Sequence, residues 1–152
     1  MFKHLLVPTD GSELSDEAVA AAAQFAQEVS ARITLLYVRP DYPVSYFGEG
    51  ALVDPSTPES FAEMTQKAAT DILSRSQGIV QTRNVTCATS DVVNNLPWEA
   101  IIATAEKAGC DLIFMASHGR RGLAGLLLGS ETQKVLTHSN IPVLVHRQAG
   151  KR

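Results

Sequence analysis

Residues 118–134 read HGRRGLAGLLLGSETQK, with four glycines, two adjacent arginines and a Gly-Ser pair that opens a helical pattern. Such a stretch points first to phosphate. The free N–H groups at a helix N-terminus, reinforced by the helix dipole, bind anions, and glycine lets an anion approach the backbone closely. Two common phosphate loops fail on spacing. GxxxxGK[ST] needs a lysine where Ser130 directly follows Gly129, and GxGxxG is absent. What remains is Gly129-Ser130 at a helix start, and two readings stay open. Ser130 and Gln133 form an S-x-x-Q capping pair, in which the serine only ends a helix. Alternatively, the amides of residues 130–132 and the Ser130 hydroxyl face a phosphate. Arg120 and Arg121 would then meet phosphate charge, or else solvate a loop.

Other reactive side chains fit poorly with catalysis. Ser117 lies in Met115-x-Ser117-x-Gly119, which lacks the first glycine of the hydrolase elbow G-x-S-x-G. Asp10 ends the run PTD before Gly11. As a phosphoacceptor it would want a second aspartate two residues on, where Ser12 stands. An aspartate before glycine reads as a turn residue or a ligand contact. His118 has no adjacent carboxylate to orient it. His4, His138 and His146 read as edge or surface residues. Cys87 and Cys110 are far apart, with no CxxC and no paired histidines. That argues against a zinc site and for a reducing, cytoplasmic setting.

These residues need a scaffold, and the hydrophobic pattern supplies one. Apolar runs at 3–9, 32–38, 111–117 and 141–147 read as buried strands, with a further strand within 84–90. Between them lie helical patterns. Ser12 caps the first, whose apolar face is Leu14, Ala18, Ala21, Phe25 and Val29. Thr57-Pro58 opens the second, with Phe61, Met64, Ala68 and Ile72 inward. The third runs from Pro97 to Lys107 and stops at Gly109, and the fourth from Ser130 to His138. Residues 39–56 are rich in Pro, Gly, Asp and Ser and read as a loop. Strands alternating with helices imply a single α/β domain, a parallel sheet covered by helices on both faces. Ligands of such sheets bind beyond the strand C-termini where the strand order reverses.

At 152 residues, 45% hydrophobic and 19% charged, the chain has the composition of one soluble domain. A net charge of −3 gives no electrostatic reason to expect nucleic acid. No apolar run has membrane-spanning length, and MFKHLLVPTDGS enters a strand pattern too soon for a signal peptide.

PTDGS around Asp10, the strand DLIFMAS, the stretch HGRRGLAGLLLGSETQKVL and the final NIPVLVHR together resemble the universal stress protein family over the whole chain. The middle, residues 40–96, is similar only in layout. The resemblance implies one domain over 1–147 with a short tail at 148–152, and a five-stranded Rossmann-like sheet in the order 3-2-1-4-5. It also implies a cytoplasmic homodimer acting in stress response. One branch of the family binds ATP through G-x2-G-x9-G-[ST]. Here the register that fits starts at Ala116, passes Gly119 and ends at Gly129-Ser130, so only the first glycine is replaced. Carried over, Pro8, Thr9, Asp10 and Val38 would line the adenine and ribose end. Met115, Ala116, His118, Gly119, Arg120, Gly129, Ser130, Glu131 and Thr132 would surround the ribose and phosphates, with Mg²⁺ as the usual companion of a triphosphate. Residues 120–128 would form a lid. The dimer would pair Ile141, Pro142, Val143, Leu144, Val145 and His146 with the same strand of a second copy. A binding module that signals to a downstream protein is the leading expectation. A dimer without nucleotide and a slow ATPase are the alternatives, the last weakened by the want of a general base.

Overall fold

The computed structural model describes residues 1–41, 57–119 and 128–148. Five strands, β1 (His4–Pro8), β2 (Arg32–Arg39), β3 (Cys87–Val93), β4 (Leu112–Ala116) and β5 (Val143–His146), alternate with four helices. These are α1 (Glu13–Val29), α2 (Pro58–Gln81), α3 (Pro97–Ala108) and α4 (Ser130–His138). All strand pairs are parallel, in the order β3-β2-β1-β4-β5. The sheet therefore reverses direction of growth between β1 and β4, as the strand order implied by the resemblance requires.

Alternation along the strands divides the core in two. Leu5, Val7, Ile33, Leu35, Leu112 and Phe114 face α1 and α2. Leu6, Leu36, Ile113 and Met115 face Ile101 and Ala105 of α3 and Val135 of α4. The Ser12 side chain accepts the Ser15 N–H and caps α1, and Ser30 closes it in the left-handed region at φ 57. Gly109, at φ 71, ends α3 in the same way, a conformation that glycine adopts without strain.

Several expectations need correction. On α1 the fully buried ridge is Ala18, Val19, Ala22, Ala23 and Ala26, while Ala21, Phe25 and Val29 are only partly covered. Alanines let the helix lie close to the sheet, and Phe25 wraps around its side to reach Phe2 and Phe114. On α2 the buried ridge is Ala69, Leu73, Ser76 and Val80, one residue on from the expected stripe, and Met64 is 59% exposed. Burial starts only at Ala69, so the apolar residues of the first turns do not govern how this helix packs. β3 (Cys87–Val93) runs on beyond the expected stretch 84–90, and it is largely exposed as an edge strand. β2 continues through Arg39, and residues 42–56 lie outside the described residues. His4 is buried rather than superficial, with Nε2 2.7 Å from Thr34 Oγ1.

Candidate functional site at the ends of β1 and β4

β1 and β4 are neighbours, paired through Leu5–Leu112 and Leu6–Ile113, so the turns that follow them emerge side by side. After β1 the chain makes a tight turn held by its own side chains. Asp10 Oδ1 accepts the Ser12 N–H at 2.9 Å, and Gly11 sits at φ 78. Thr9 is buried, with its hydroxyl 3.0 Å from Ser15 Oγ. After β4, Ser117 donates its N–H to His146 O and accepts the Gly129 N–H at 2.7 Å. That last bond returns the chain from the stretch 120–127, which lies outside the described residues, to the mouth of β4. Arg120 and most of the expected lid fall in that stretch.

The Gly129 contact explains the glycine differently from the sequence. A Cβ there would stand 3.0 Å from His118 Cβ and 3.1 Å from His118 Cα. The glycine lets α4 start against the β4 turn, because a side chain there would meet His118. Gly119 has a similar role, since a Cβ on it would run into the Asp10 carboxylate. Together the two glycines allow the three segments to meet.

Ser130 is not a helix cap. The cap position is Gly129, no side chain caps the helix, and Ser130 is the exposed first residue of α4. Gln133, the expected partner in a capping box, instead donates its side-chain amide to Leu128 O at 3.0 Å. The first-turn amides of Ser130, Glu131 and Thr132 have no acceptor within the helix. The turn is aimed by two side chains. Thr132 is buried and its Oγ1 donates to Ala116 O at 3.0 Å, and Glu131 Oε2 accepts the Trp98 N–H at 2.8 Å.

These elements enclose a cleft of about 210 Å³. Leu36, Val38, Ile101, Met115, Pro8 and Pro97 give it an apolar end; Thr9, Asp10, Ser15, His118, Gly119, Glu131 and Thr132 give it a polar end. Ala116 borders it, but its side chain packs with Leu14 and Ala18 of α1. Gly129 and Ser130 are not among the lining residues. Sequence reasoning missed Ser15, Leu36, Tyr37, Pro97 and Ile101. Two of them had a signal: Leu36 precedes Val38 at the mouth of β2, and Pro97 opens α3.

The arrangement suits a ligand with a flat apolar part and a polar, anionic tail. It gives Ser117 no role as a nucleophile. Ser117 is 3% exposed, with its hydroxyl 3.2 Å from His118 Nδ1, so no substrate reaches it. Burial pushes the thiols of Cys87 and Cys110 up to about 11, which keeps both protonated near neutrality. Among the described residues no three His, Cys, Asp or Glu side chains converge to hold a metal. No described helix is long and apolar enough to cross a membrane.

β5 is the opposite edge of the sheet from β3. Ile113 N–H bonds to Pro142 O and Ser117 N–H to His146 O, so Pro142 and His146 turn toward β4. By strand alternation the N–H and C=O groups of Val143 and Val145 point to the open edge. Ile141 and Val143 pack toward α3 and α4, and Leu144 toward α1.

The sequence model of the universal stress protein family matches residues 1–147. The universal stress protein MJ0531 of Methanocaldococcus jannaschii is 30% identical over 99% of this chain and 85% of its own. Universal stress protein MJ0577 of the same organism is 31% identical over 95% and 94%. A solved structure of MJ0577 superposes with a TM-score of 0.77 over 99% of both chains, at 29% identity. A universal stress protein solved in complex with cAMP has the same fold, with a TM-score of 0.72 over 97% of this chain and 99% of that one, at 24% identity. This chain belongs to the universal stress protein family.

Proposed function

We propose that the protein binds an adenine nucleotide, ATP, in the cleft at the ends of β1, β2 and β4, and that it acts in stress response as a binding module rather than an enzyme. The observation that carries the reading is the division of the cleft. Leu36, Val38, Ile101 and Met115 offer an apolar slot for a base, while the uncapped first turn of α4 stands at the polar end. The volume of about 210 Å³ suits a nucleoside, with the phosphates reaching past it to the first turn of α4. In this reading Asp10, at the turn after β1, meets the ribose. The amides of Ser130, Glu131 and Thr132, with the Ser130 hydroxyl, bind phosphate beyond the mouth of the cleft. Mg²⁺ would be held chiefly by the phosphates themselves, given the lack of a converging donor set among the described residues. A relative with this fold has been solved with cAMP, so the fold accommodates adenine.

The same reading includes a cytoplasmic homodimer formed by antiparallel pairing of β5 across a two-fold axis. The open edge at Val143 and Val145 supports it, because an apolar edge strand left bare invites uncontrolled association, and a closed pair ends it. The test of the nucleotide reading is extraction of ligand. Protein incubated with millimolar ATP, desalted and denatured should release adenine nucleotide at nearly one per chain. Release of none, or of the same trace given by an unrelated protein, counts against it.

A further inference from the structure

The polar end of the cleft carries two carboxylates, Asp10 and Glu131, and no lysine or arginine among its described lining residues. Glu131 is held there by a specific arrangement. The residue preceding α3 is Leu96, whose side chain makes no cap bond. The Glu131 carboxylate reaches across from α4 instead, accepting the Trp98 N–H at 2.8 Å. Its other oxygen is 3.9 Å from Lys134 Nζ, with the two side chains 39% and 48% exposed. At that distance and exposure the lysine neutralises it only in part. A fixed negative charge thus stands on the second residue of α4, beside the amides that the nucleotide reading gives to phosphate.

We infer that Glu131 is the specificity-determining residue of this cleft, setting its preference among adenine nucleotides by phosphate charge. The inference rests on the nucleotide reading above. Each added phosphate brings negative charge toward the carboxylate, so the metal-free cleft disfavours the triphosphate relative to the monophosphate. Water reaches both groups, which holds the penalty to a few-fold and makes it fall with ionic strength. A divalent cation on the phosphates lowers their charge and reduces the discrimination. Glu131 is also a positioning residue, because its bond to Trp98 substitutes for the missing cap of α3.

Two substitutions separate the charge from the cap. Glu131→Gln keeps a carbonyl oxygen for the Trp98 N–H and removes the charge; Glu131→Ala removes both. Dissociation constants of AMP and ATP are measured without metal at low salt for all three proteins. Glu131→Gln is expected to tighten both nucleotides, ATP by about three- to tenfold more than AMP, a difference that fades as salt is raised. Glu131→Ala is expected to shift the ATP-to-AMP ratio in the same direction while lowering the melting temperature, which Glu131→Gln should not do. A ratio unchanged in both variants overturns the inference while the nucleotide reading stands. Absence of binding by all nucleotides to the unaltered protein overturns the nucleotide reading, and this inference with it.

Discussion

Ser130 makes no cap bond in α4, so Ser130→Ala is expected to change folding stability by less than about 0.5 kcal/mol. With its hydroxyl donating to a phosphate, the same change should weaken ATP binding by about tenfold, the loss of one hydrogen bond to a charged group. Urea unfolding and a nucleotide titration on one variant check both. Gly129→Ala behaves in the opposite way. The new methyl stands against His118 and Ser117, and the cost of overpacking is about 1–3 kcal/mol. Affinity would fall only because α4 shifts, so a variant of native stability that loses binding would contradict the packing role. Ala116→Gly should weaken the contact with Leu14 and Ala18 and leave affinity within about twofold. The packing roles of Gly129 and Ala116 are not what local sequence suggests, and for one reason. The motif spacing identifies which residues gather at the β4 mouth, but which way a glycine's missing side chain would point depends on a segment packed against it from elsewhere in the chain.

β5 is the element with the clearest consequence of its own. The Val145 N–H points away from β4, so Val145→Pro removes a donor from the open edge without breaking a bond to β4. Light scattering at micromolar concentration is expected to give a dimer for the unaltered protein and a monomer for the variant. A monomer in both cases would remove the dimer from the reading. The strands and helices themselves were largely legible. Capping residues Ser12 and Thr57, Pro97 at the start of α3 and Gly109 at its end mark boundaries by chemistry local to the chain. The faces of α1 and α2 were not legible, because periodicity only says that one stripe is apolar. Which stripe is buried was decided by small residues such as Ala22, Ala26, Ala69 and Ser76, which allow close approach. The site followed the same rule. Asp10, Gly119 and Thr132 came with the family resemblance, whereas Pro97 and Ile101 reach the cleft through the packing of α3.

At the scale of the whole molecule, stability carries a pH dependence set at the end of the sheet remote from the cleft. Burial, with Arg32 adding to it, holds the His4 imidazole below its ordinary 6.5. The unfolded chain therefore takes up the proton first. Stability from this group is complete above about pH 6.5 and is lost as the pH falls through that value toward the folded pKa. His4→Gln, which can still bond to Thr34, is expected to flatten the decline in urea midpoint between about pH 7.5 and about pH 5.5. An equally steep decline in the variant would place the proton uptake elsewhere. Asp111 acts lower on the scale. Burial raises its carboxyl, but the N–H groups of His4 and Lys3 outweigh that and hold it below 3.8, so its contribution persists above that pH and disappears below it. Fold, cleft and helix end converge on one claim, that a nucleotide occupies the space between β1 and β4. Calorimetric titration of the purified chain with ATP and Mg²⁺, paired with a thermal melt, tests it most directly. One site per chain is expected, with stabilisation of about 2.7 kcal/mol when free ligand reaches a hundred times the dissociation constant. No heat and no shift in melting temperature up to millimolar ATP would contradict it.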